Sequence, residues 1–306
     1  MTGEIAEEDS PQSVRSAAPA KVNLGLRITG RRPDGYHLLQ SHFVPLDLGD
    51  QVVVSLGPGD ARGSAVALAL EGRREGVPAG DDNLAVRAAR AFLAAGGIER
   101  SLAIQLDKWI PVGAGLGGGS SDAGAVLRLL AQLLPGAVEP DALAELALGL
   151  GADVPFFLDP RPARVGGVGE QIEPLAALPG FALALVNPGI SLSTAAVYRA
   201  YDALAPGAMP PDGAPALAAL PGDLPLEALD AHLENDLEPA ALRLCPPIAR
   251  LRDRLRKAGA PAVGMSGSGP TVFGAFPDEA AAEAALARIE LEPPAWGRVA
   301  APLGCR

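Results

Sequence analysis

The chain has 306 residues, of which 48% are hydrophobic, 20% are charged and only 4% are aromatic. This length and composition allow a full hydrophobic core in one large domain or two ordinary ones, and they exclude a wholly disordered chain. The net charge of −11 repels phosphate backbones, so we expect no nucleic-acid partner. No apolar run is long enough to cross a membrane, so we expect no membrane association either.

Cysteine content and the N-terminal segment both indicate a cytoplasmic protein. Cys245 and Cys305 are the only cysteines, which is too few for a disulfide framework, and their spacing does not fit a metal site. Residues 1–14 are mostly acidic and polar, and they match neither a secretory signal nor a transit peptide. We therefore expect a disordered acidic tail at residues 1–14, to which the sequence assigns no role.

The first half of the chain predicts strands followed by helices. Extended apolar stretches predict strands at residues 17–28, 38–46, 51–56, 64–70 and 102–106. Helical spacing of apolar residues predicts helices at residues 83–95, 126–134 and 141–148. Glycine or proline pairs end the first two helices, and we expect Asp141 to cap the third.

The second half mixes the same elements in a different order. Strands are predicted at residues 181–186 and on both sides of a glycine-rich turn within residues 262–276. Helices are predicted at residues 193–204, 226–244, 248–258 and 278–289. This irregular order favours an α+β fold over a regular βαβ winding. Residues 161–169 carry a proline and several glycines and mark a candidate boundary, giving an N-terminal domain at 15–162 and a C-terminal domain at 163–306.

One stretch of the chain has the composition of a phosphate-binding loop. It runs directly into a helix and consists of Pro111, Val112, Gly113, Ala114, Gly115, Leu116, Gly117, Gly118, Gly119, Ser120 and Ser121. Glycines let backbone N–H groups face inward, and the helix start adds unpaired N–H groups with a positive dipole end. Ser120 or Ser121 could cap the helix and offer a hydroxyl to a phosphate. An acidic protein could hold a triphosphate in this way with few charged side chains.

Other interpretations of this loop are a flexible linker, a dinucleotide-binding turn and a Walker loop. A linker rarely lies between a strand and a strongly patterned helix. The spacing Gly113-x-Gly115-x-x-Gly118 fits the dinucleotide fingerprint, but the strand expected after the helix is replaced by a proline-glycine pair. A Walker loop is excluded because Gly-Lys-Ser/Thr occurs nowhere in the chain. A phosphate-binding loop outside the Walker class remains the favoured interpretation.

Several further residues could carry chemistry, although each also has an ordinary structural explanation. Residues 264–271 form a second glycine-rich stretch, which alone predicts a turn between two strands. Asp153 lies among apolar residues and could act as a general base, but it could equally be a turn residue. Lys21 in the first strand could offset phosphate charge or simply face water. Tyr36 and His37 could stack on a planar base or begin a strand.

Considered together, these motifs resemble the glycine-rich motifs of the GHMP kinases, the superfamily of galactokinase, homoserine kinase, mevalonate kinase and phosphomevalonate kinase. One branch is matched more fully, namely the branch whose acceptor is 4-diphosphocytidyl-2-C-methyl-D-erythritol of the non-mevalonate isoprenoid route. The matching pieces follow one another in the expected order over about residues 17–276. They read Ala-Pro-Ala-Lys-Val-Asn-Leu, Arg-Pro-Asp-Gly-Tyr-His, Asp-Asn-Leu, Gly-Leu-Gly-Gly-Gly-Ser-Ser-Asp-Ala, Gly-Ala-Asp-Val-Pro-Phe and Asn-Asp-Leu-Glu.

The resemblance implies an ATP-dependent kinase that phosphorylates the carbon-2 hydroxyl of this acceptor, with Mg²⁺ to offset triphosphate charge. It implies a ribosomal-protein-S5-like N-terminal domain and a ferredoxin-like C-terminal domain. The sequence leaves open whether the enzyme is a monomer or homodimer. Asp153 would be the base and Lys21 its partner, while Asn83 would lie near adenine and residues 111–121 would cradle phosphates. The acceptor site would be lined by Asn23, Tyr36, His37 and Tyr198.

Three rival functions follow from the same residues. The first is another GHMP kinase, whose acceptor would lack a cytosine, so Tyr36 and His37 would have no base to bind. A non-catalytic sensor of this fold would be expected to lose Asp153 or Lys21, and both are present. A dehydrogenase would need NAD. One departure from the expected pattern is Trp109, which stands beside the phosphate loop where a polar or basic residue is expected.

Overall fold

A computed structural model describes residues 12–57, 65–204 and 217–304. These residues form two compact units. Unit 1 contains the residues up to Ala18, Asp50–Trp109 and Gly119–Leu158, and unit 2 contains Pro19–Gly49, Ile110–Gly118 and Asp159–Arg306. The predicted tail falls mostly on residues 1–11, which lie outside the described residues, whereas Ser13 and Val14 already belong to the first strand.

The two longest strands, β1 (Ser13–Arg31) and β2 (His37–Leu56), pair with each other and contribute residues to both units. Unit 1 adds β3 (Val66–Gly72), α1 (Leu84–Ala95), β4 (Leu102–Lys108), α2 (Gly118–Leu133), α3 (Pro140–Leu150) and a 3₁₀ helix (Pro155–Leu158). The last part of β2 runs antiparallel to β4, with Gln51 opposite Asp107 and Leu56 opposite Leu102. Strand β3 runs parallel to β4 on its other side.

The core of unit 1 includes one face of β4, along which buried and exposed residues alternate. Leu102, Ile104 and Leu106 are buried, while the residues between them are exposed. These leucine and isoleucine side chains join Val52, Val54 and the apolar faces of α1 and α2 in one hydrophobic cluster. Small residues allow the elements to approach closely, since a Cβ placed at Gly124 would lie 2.5 Å from the Cβ of Phe157.

The described part of unit 2 contains eleven further elements, four of which form an antiparallel sheet. They are β5 (Ala163–Gly167), β6 (Gln171–Pro174), β7 (Ala182–Asn187), α4 (Thr194–Leu204), a 3₁₀ helix (Leu226–His232), α5 (Glu238–Leu244), α6 (Pro247–Lys257), β8 (Ala262–Met265), β9 (Val272–Phe276), α7 (Glu279–Leu286) and β10 (Trp296–Ala300). The sheet order is β10-β7-β9-β8. Every residue of β7 is buried, as expected of a central strand covered on both faces. The first part of β2 pairs with β5, which pairs with β6.

The predicted α+β class is confirmed, but several boundaries were wrong. The strands predicted at residues 38–46 and 51–56 form one continuous strand, because its two parts pair with β5 and β4. The helix predicted at residues 226–244 is interrupted. At the interruption, the side chain of Asn235 donates to the backbone oxygens of Met265 and Gly267. The segment around Asn235 therefore does not continue the helix. Glu139 occupies the N-cap position of α3, and the predicted cap Asp141 lies in its first turn.

Strands β6 and β10 were not predicted, and β5 occupies residues that were assigned to the candidate domain boundary. Within the described ranges, no helix is both long and apolar enough to cross a membrane.

Candidate active site

Residues 111–117 of the first glycine-rich stretch form a sharply turned loop in unit 2, and residues 118–121 form the first turn of α2. Gly113, Gly115 and Gly117 have φ values of +69°, +77° and +73°, which non-glycine residues rarely adopt. Neighbouring carbonyl groups are held by hydrogen bonds from other parts of the unit. The oxygen of Leu116 accepts from the backbone N–H of Lys21 at 2.9 Å, and that of Gly115 accepts from Ser266 Oγ at 2.8 Å. These bonds fix the orientation of the peptide groups in the loop.

The second glycine-rich stretch is a tight turn between β8 and β9, as predicted. Its backbone is closed by a bond from Ser266 N–H to the Thr271 oxygen at 3.0 Å and one from Gly269 N–H to the Ser266 oxygen at 2.9 Å. The bond between Ser266 Oγ and Gly115 brings the two glycine-rich stretches into contact. Ser266 was not singled out from the sequence, because its partner lies 151 residues away along the chain.

Lys21 and Asn23 are buried side by side in β1. Lys21 is 4% exposed and Asn23 is 1% exposed, and the Lys21 ammonium donates to Asn23 Oδ1 at 2.7 Å. The ammonium also lies 4.2 Å from the centre of the Phe43 ring, a favourable cation–π distance. Lys21 therefore does not face water, which was its alternative structural explanation. A Cβ placed at Gly267 would lie 3.7 Å from Lys21 Nζ, so the second glycine-rich turn also borders this site.

A second polar cluster in unit 2 surrounds His37. The ring of Tyr198 lies 4.9 Å from that of His37 at 31°, and the ring of Tyr201 lies 6.0 Å away edge-on. His37 Nε2 is 2.8 Å from Asp202 Oδ1. The structure thus brings the predicted residues His37 and Tyr198 together, whereas the side chain of Tyr36 is 64% exposed. Tyr201 and Asp202 were missed, although their spacing from Tyr198 places all three on one face of α4.

Two predicted site residues lie in unit 1. Asn83 caps α1, with Oδ1 accepting from Ala85 N–H at 2.9 Å and Nδ2 donating to the Pro78 oxygen at 2.8 Å. Asp153 lies in the turn between α3 and the 3₁₀ helix and is half-buried, and the buried side chain of Val154 follows it. Because Asp153 belongs to unit 1 and Lys21 to unit 2, their predicted partnership stays a prediction.

Unit 1 also contains a buried group of three charged residues that the sequence did not suggest. Lys108 donates to Asp122 Oδ2 at 2.6 Å and to Asp50 Oδ2, and all three residues are at most 4% exposed. Asp50 Oδ1 also accepts from the backbone N–H of Trp109 at 2.5 Å. Lys108, the neighbour of Trp109, therefore points into the unit, while Arg73 lies over the Trp109 ring.

With both carboxyl groups ionised, these three residues carry a net negative charge. Their burial determines how readily a carboxyl takes up a proton. Burial raises the pKa of Asp122 to about 7; the Lys108 ammonium opposes this rise and the Asp50 carboxylate adds to it. Burial alone would lower the pKa of Lys108, but the carboxylates of Asp122 and Asp50 raise it overall. Among described residues, Asp122 Oδ1 and Ser121 Oγ are buried without a hydrogen-bond partner.

The raised pKa of Asp122 predicts a particular dependence of stability on pH. The carboxyl titrates near 3.8 when unperturbed and near 7 in the folded protein, so the folded state holds the proton more tightly. The stabilisation is complete below the unfolded pKa and is lost as the pH rises through the folded pKa. Between about pH 5 and pH 8, the free energy of unfolding should fall further in the unsubstituted protein than in the Asp122→Asn variant. We expect the difference to be about 1 kcal/mol or more. Urea unfolding at several pH values measures this, and parallel curves would contradict it.

Comparison with known proteins places these motifs in a family. The GHMP kinases N-terminal domain model matches residues 83–159, and the GHMP kinases C-terminal model matches residues 214–293. A protein of Paracoccus denitrificans named 4-diphosphocytidyl-2-C-methyl-D-erythritol kinase is 47% identical over 94% of this chain and 95% of its own length. A protein of Ruegeria pomeroyi with the same name is 43% identical over 93% of this chain and 97% of its own.

Solved structures agree with this assignment. A crystal structure of a 4-(cytidine 5'-diphospho)-2C-methyl-D-erythritol kinase is 42% identical, with a TM-score of 0.70 over 94% of this chain and 99% of that one. Homoserine kinase from Cytophaga hutchinsonii, at 19% identity, shares the fold alone, with a TM-score of 0.64 over 99% of this chain and 98% of that one. The chain belongs to the GHMP kinase family. It is a kinase that uses ATP, and the predicted two-part architecture of that family is confirmed.

The loop geometry predicts that Gly115 tolerates no side chain. A Cβ there would lie 2.5 Å from the Ser266 oxygen and 2.7 Å from the Gly269 oxygen, so Gly115→Ala must displace backbone. We expect this change to weaken ATP binding about tenfold or more, which corresponds to about 1.4 kcal/mol. Isothermal titration with ATP measures the loss.

Gly136→Ala is the matched control for this experiment. Gly136 has the same φ of +77°, but a Cβ there would have no atom within 4 Å. The control therefore carries the same backbone strain without the collision, and we expect its ATP affinity to be unchanged. Equal losses of affinity in the two variants would contradict the phosphate-binding role that the sequence predicts for the loop.

Proposed function

We propose that the protein transfers the γ-phosphate of ATP to the carbon-2 hydroxyl of 4-diphosphocytidyl-2-C-methyl-D-erythritol, in the cytoplasmic non-mevalonate route to isoprenoid precursors. The observation that carries this proposal is near full-length similarity, at 42–47% identity, to proteins that bear the name of this kinase. The cluster around His37 supports it, because a site for a cytidine diphosphate needs groups that stack on and read a pyrimidine ring.

The backbone loop and the buried ammonium supply the electrostatic part of the mechanism. Phosphoryl transfer needs little covalent chemistry from the protein, so positioning and charge stabilisation dominate. We assign residues 111–121 to the phosphates of ATP and Lys21 to charge that develops on the transferred group. Asn83 is assigned to the edge of the adenine site. The high burial of Lys21 supports its role, because low-dielectric surroundings strengthen its interaction with an anion.

Asp153 is the proposed general base. It would accept the proton of the carbon-2 hydroxyl as that oxygen forms a bond to the γ-phosphorus and the bond to ADP breaks. No group of three or more His, Cys, Asp or Glu side chains in the described parts of the chain could hold a metal ion. Mg²⁺ bound mainly through ATP phosphates needs only one or two protein oxygens, so we propose that it enters with ATP.

The partner of His37 suggests how the acceptor base is selected. If Nε2–H donates to Asp202, Nδ1 is left as an acceptor. Such an acceptor matches the 4-amino group of cytosine and not the 4-oxo group of uracil, while Tyr198 offers a stacking surface. Asn23 and Tyr36 remain assigned to the rest of the acceptor site. Thermal shift should therefore show stronger stabilisation by cytidine diphosphate than by uridine diphosphate.

A panel of acceptors tests the reaction directly. ATP is supplied with 4-diphosphocytidyl-2-C-methyl-D-erythritol, mevalonate or homoserine, and ADP release is measured. We expect turnover with the first acceptor alone. Carbon 2 of that acceptor bears a methyl group and no hydrogen, so phosphorus-31 NMR of the 2-phosphate should show no three-bond coupling to a proton. A coupled signal would place the phosphate elsewhere, and turnover with mevalonate or homoserine alone would overturn the proposal.

A further inference from the structure

Ser41 lies in the part of β2 that belongs to unit 2 and is fully buried, with its hydroxyl bonded on both sides. Ser41 Oγ donates to the carbonyl oxygen of Gly25 at 2.6 Å, and Asn23 Nδ2 donates to Ser41 Oγ at 2.8 Å. A hydroxyl has only one proton. Because that proton is directed to Gly25, the Ser41 oxygen can only accept from Asn23.

This arrangement determines which way the Asn23 amide faces. With Nδ2 at Ser41, Oδ1 is left to accept the Lys21 ammonium at 2.7 Å. A reversed amide would direct its NH₂ group at another donor and its oxygen at a hydroxyl whose proton is already used. Lys21, Asn23 and Ser41 are 4%, 1% and 0% exposed, so water cannot compensate for such a loss.

The series of bonds ends on backbone that has little freedom to move. Gly25 has a φ of +81°, and a Cβ there would lie 2.4 Å from the carbonyl oxygen of His232. The next residue, Leu26, is tied by its N–H to the Glu234 oxygen at 2.8 Å. The carbonyl of Gly25 is therefore a fixed reference point, and Ser41 connects that point to Asn23 and then to Lys21.

We propose that Ser41 is a positioning residue, which sets the place of the Lys21 ammonium through the Asn23 amide. This inference rests on the proposed role of Lys21 in phosphoryl transfer. Ser41 itself touches neither ATP nor the acceptor in this scheme. Its removal should therefore lower kcat, because the ammonium loses its defined position, while the KM for ATP changes little.

Three substitutions at one position separate the hydrogen bond from packing. Ser41→Cys keeps the shape of the side chain with a somewhat larger atom, and it replaces a strong hydrogen-bonding group by a weak one. We expect Ser41→Ala and Ser41→Cys each to lower kcat about tenfold or more, with the KM for ATP within about threefold. Ser41→Thr keeps the hydroxyl and should retain more activity than Ser41→Cys. Unchanged kcat in Ser41→Cys would overturn the inference.

A double-mutant cycle with Lys21→Met asks whether Ser41 acts through Lys21. If it does, adding Ser41→Ala to Lys21→Met should change kcat by less than about twofold, because the group being positioned is already absent. If Ser41 had only a structural role, Ser41→Ala would lower kcat by the same factor in both backgrounds. This result would overturn the inference about Ser41 and leave the proposed role of Lys21 intact. Unchanged kcat in Lys21→Met by itself would overturn the proposed role of Lys21, which is a different outcome. Thermal unfolding of each variant confirms that the protein is folded at the assay temperature.

Discussion

Asp153→Asn is expected to lower kcat by about two orders of magnitude or more, the usual range for loss of a general base. Asparagine has nearly the same shape as aspartate but cannot accept the proton of the attacking hydroxyl. The KM for ATP should change little, because the phosphates are assigned to the glycine-rich loop and not to Asp153. Steady-state kinetics with saturating acceptor measures both constants.

Asp141→Asn is the matched control for this prediction. Asp141 is an exposed aspartate in the first turn of α3, in the same unit as Asp153. Its replacement removes one negative charge from the same region and should leave kcat unchanged. Near-normal turnover in Asp153→Asn would rule out Asp153 as the base, and an equal loss in the control would show that the effect is not specific.

Lys108→Met should produce the largest loss of stability. The change leaves Asp50 and Asp122 buried together without their shared cation, and breaking a buried ion pair from one side typically costs about 3–5 kcal/mol. The loss should be smaller at low pH, where the carboxylates can take up protons. Adding Asp122→Asn to Lys108→Met should restore part of the stability, because one buried acid is then removed.

The two tryptophans make this effect measurable in one unit. Trp109 belongs to unit 1 and Trp296 to unit 2, so a Trp296→Phe background leaves fluorescence from unit 1 alone. Urea unfolding is then followed at Trp109 for the parent and for Lys108→Met. Arg87→Met, which removes an exposed cation on α1 in the same unit, should change stability by less than about 1 kcal/mol. A loss below about 1 kcal/mol in Lys108→Met would contradict the importance of the buried group.

Local signals in the sequence predicted much of the fold. The helices predicted at residues 83–95 and 278–289 begin at Asn83 and Asp278, and in the structure these two residues cap α1 and α7. The helix predicted at residues 226–244 failed because Asn235 bonds to a turn about 30 residues later in the chain. Strand β10 was missed because only Ala300 of its five residues is buried, so pairing with β7 defines the strand and no apolar pattern marks it.

The α+β class, the glycine-rich loops and membership of the GHMP kinase family could all be established from the sequence. These three conclusions depend on patterns of residues that lie close together in the sequence. Only the tertiary structure revealed that Ser41 orients Asn23 toward Lys21, that Asp202 holds His37, and that Lys108 is buried between two aspartates. These contacts join positions up to 165 residues apart, and an isolated serine or aspartate has no pattern that identifies its partner. Burial gives them their energetic weight, because water can replace a lost partner only where it has access.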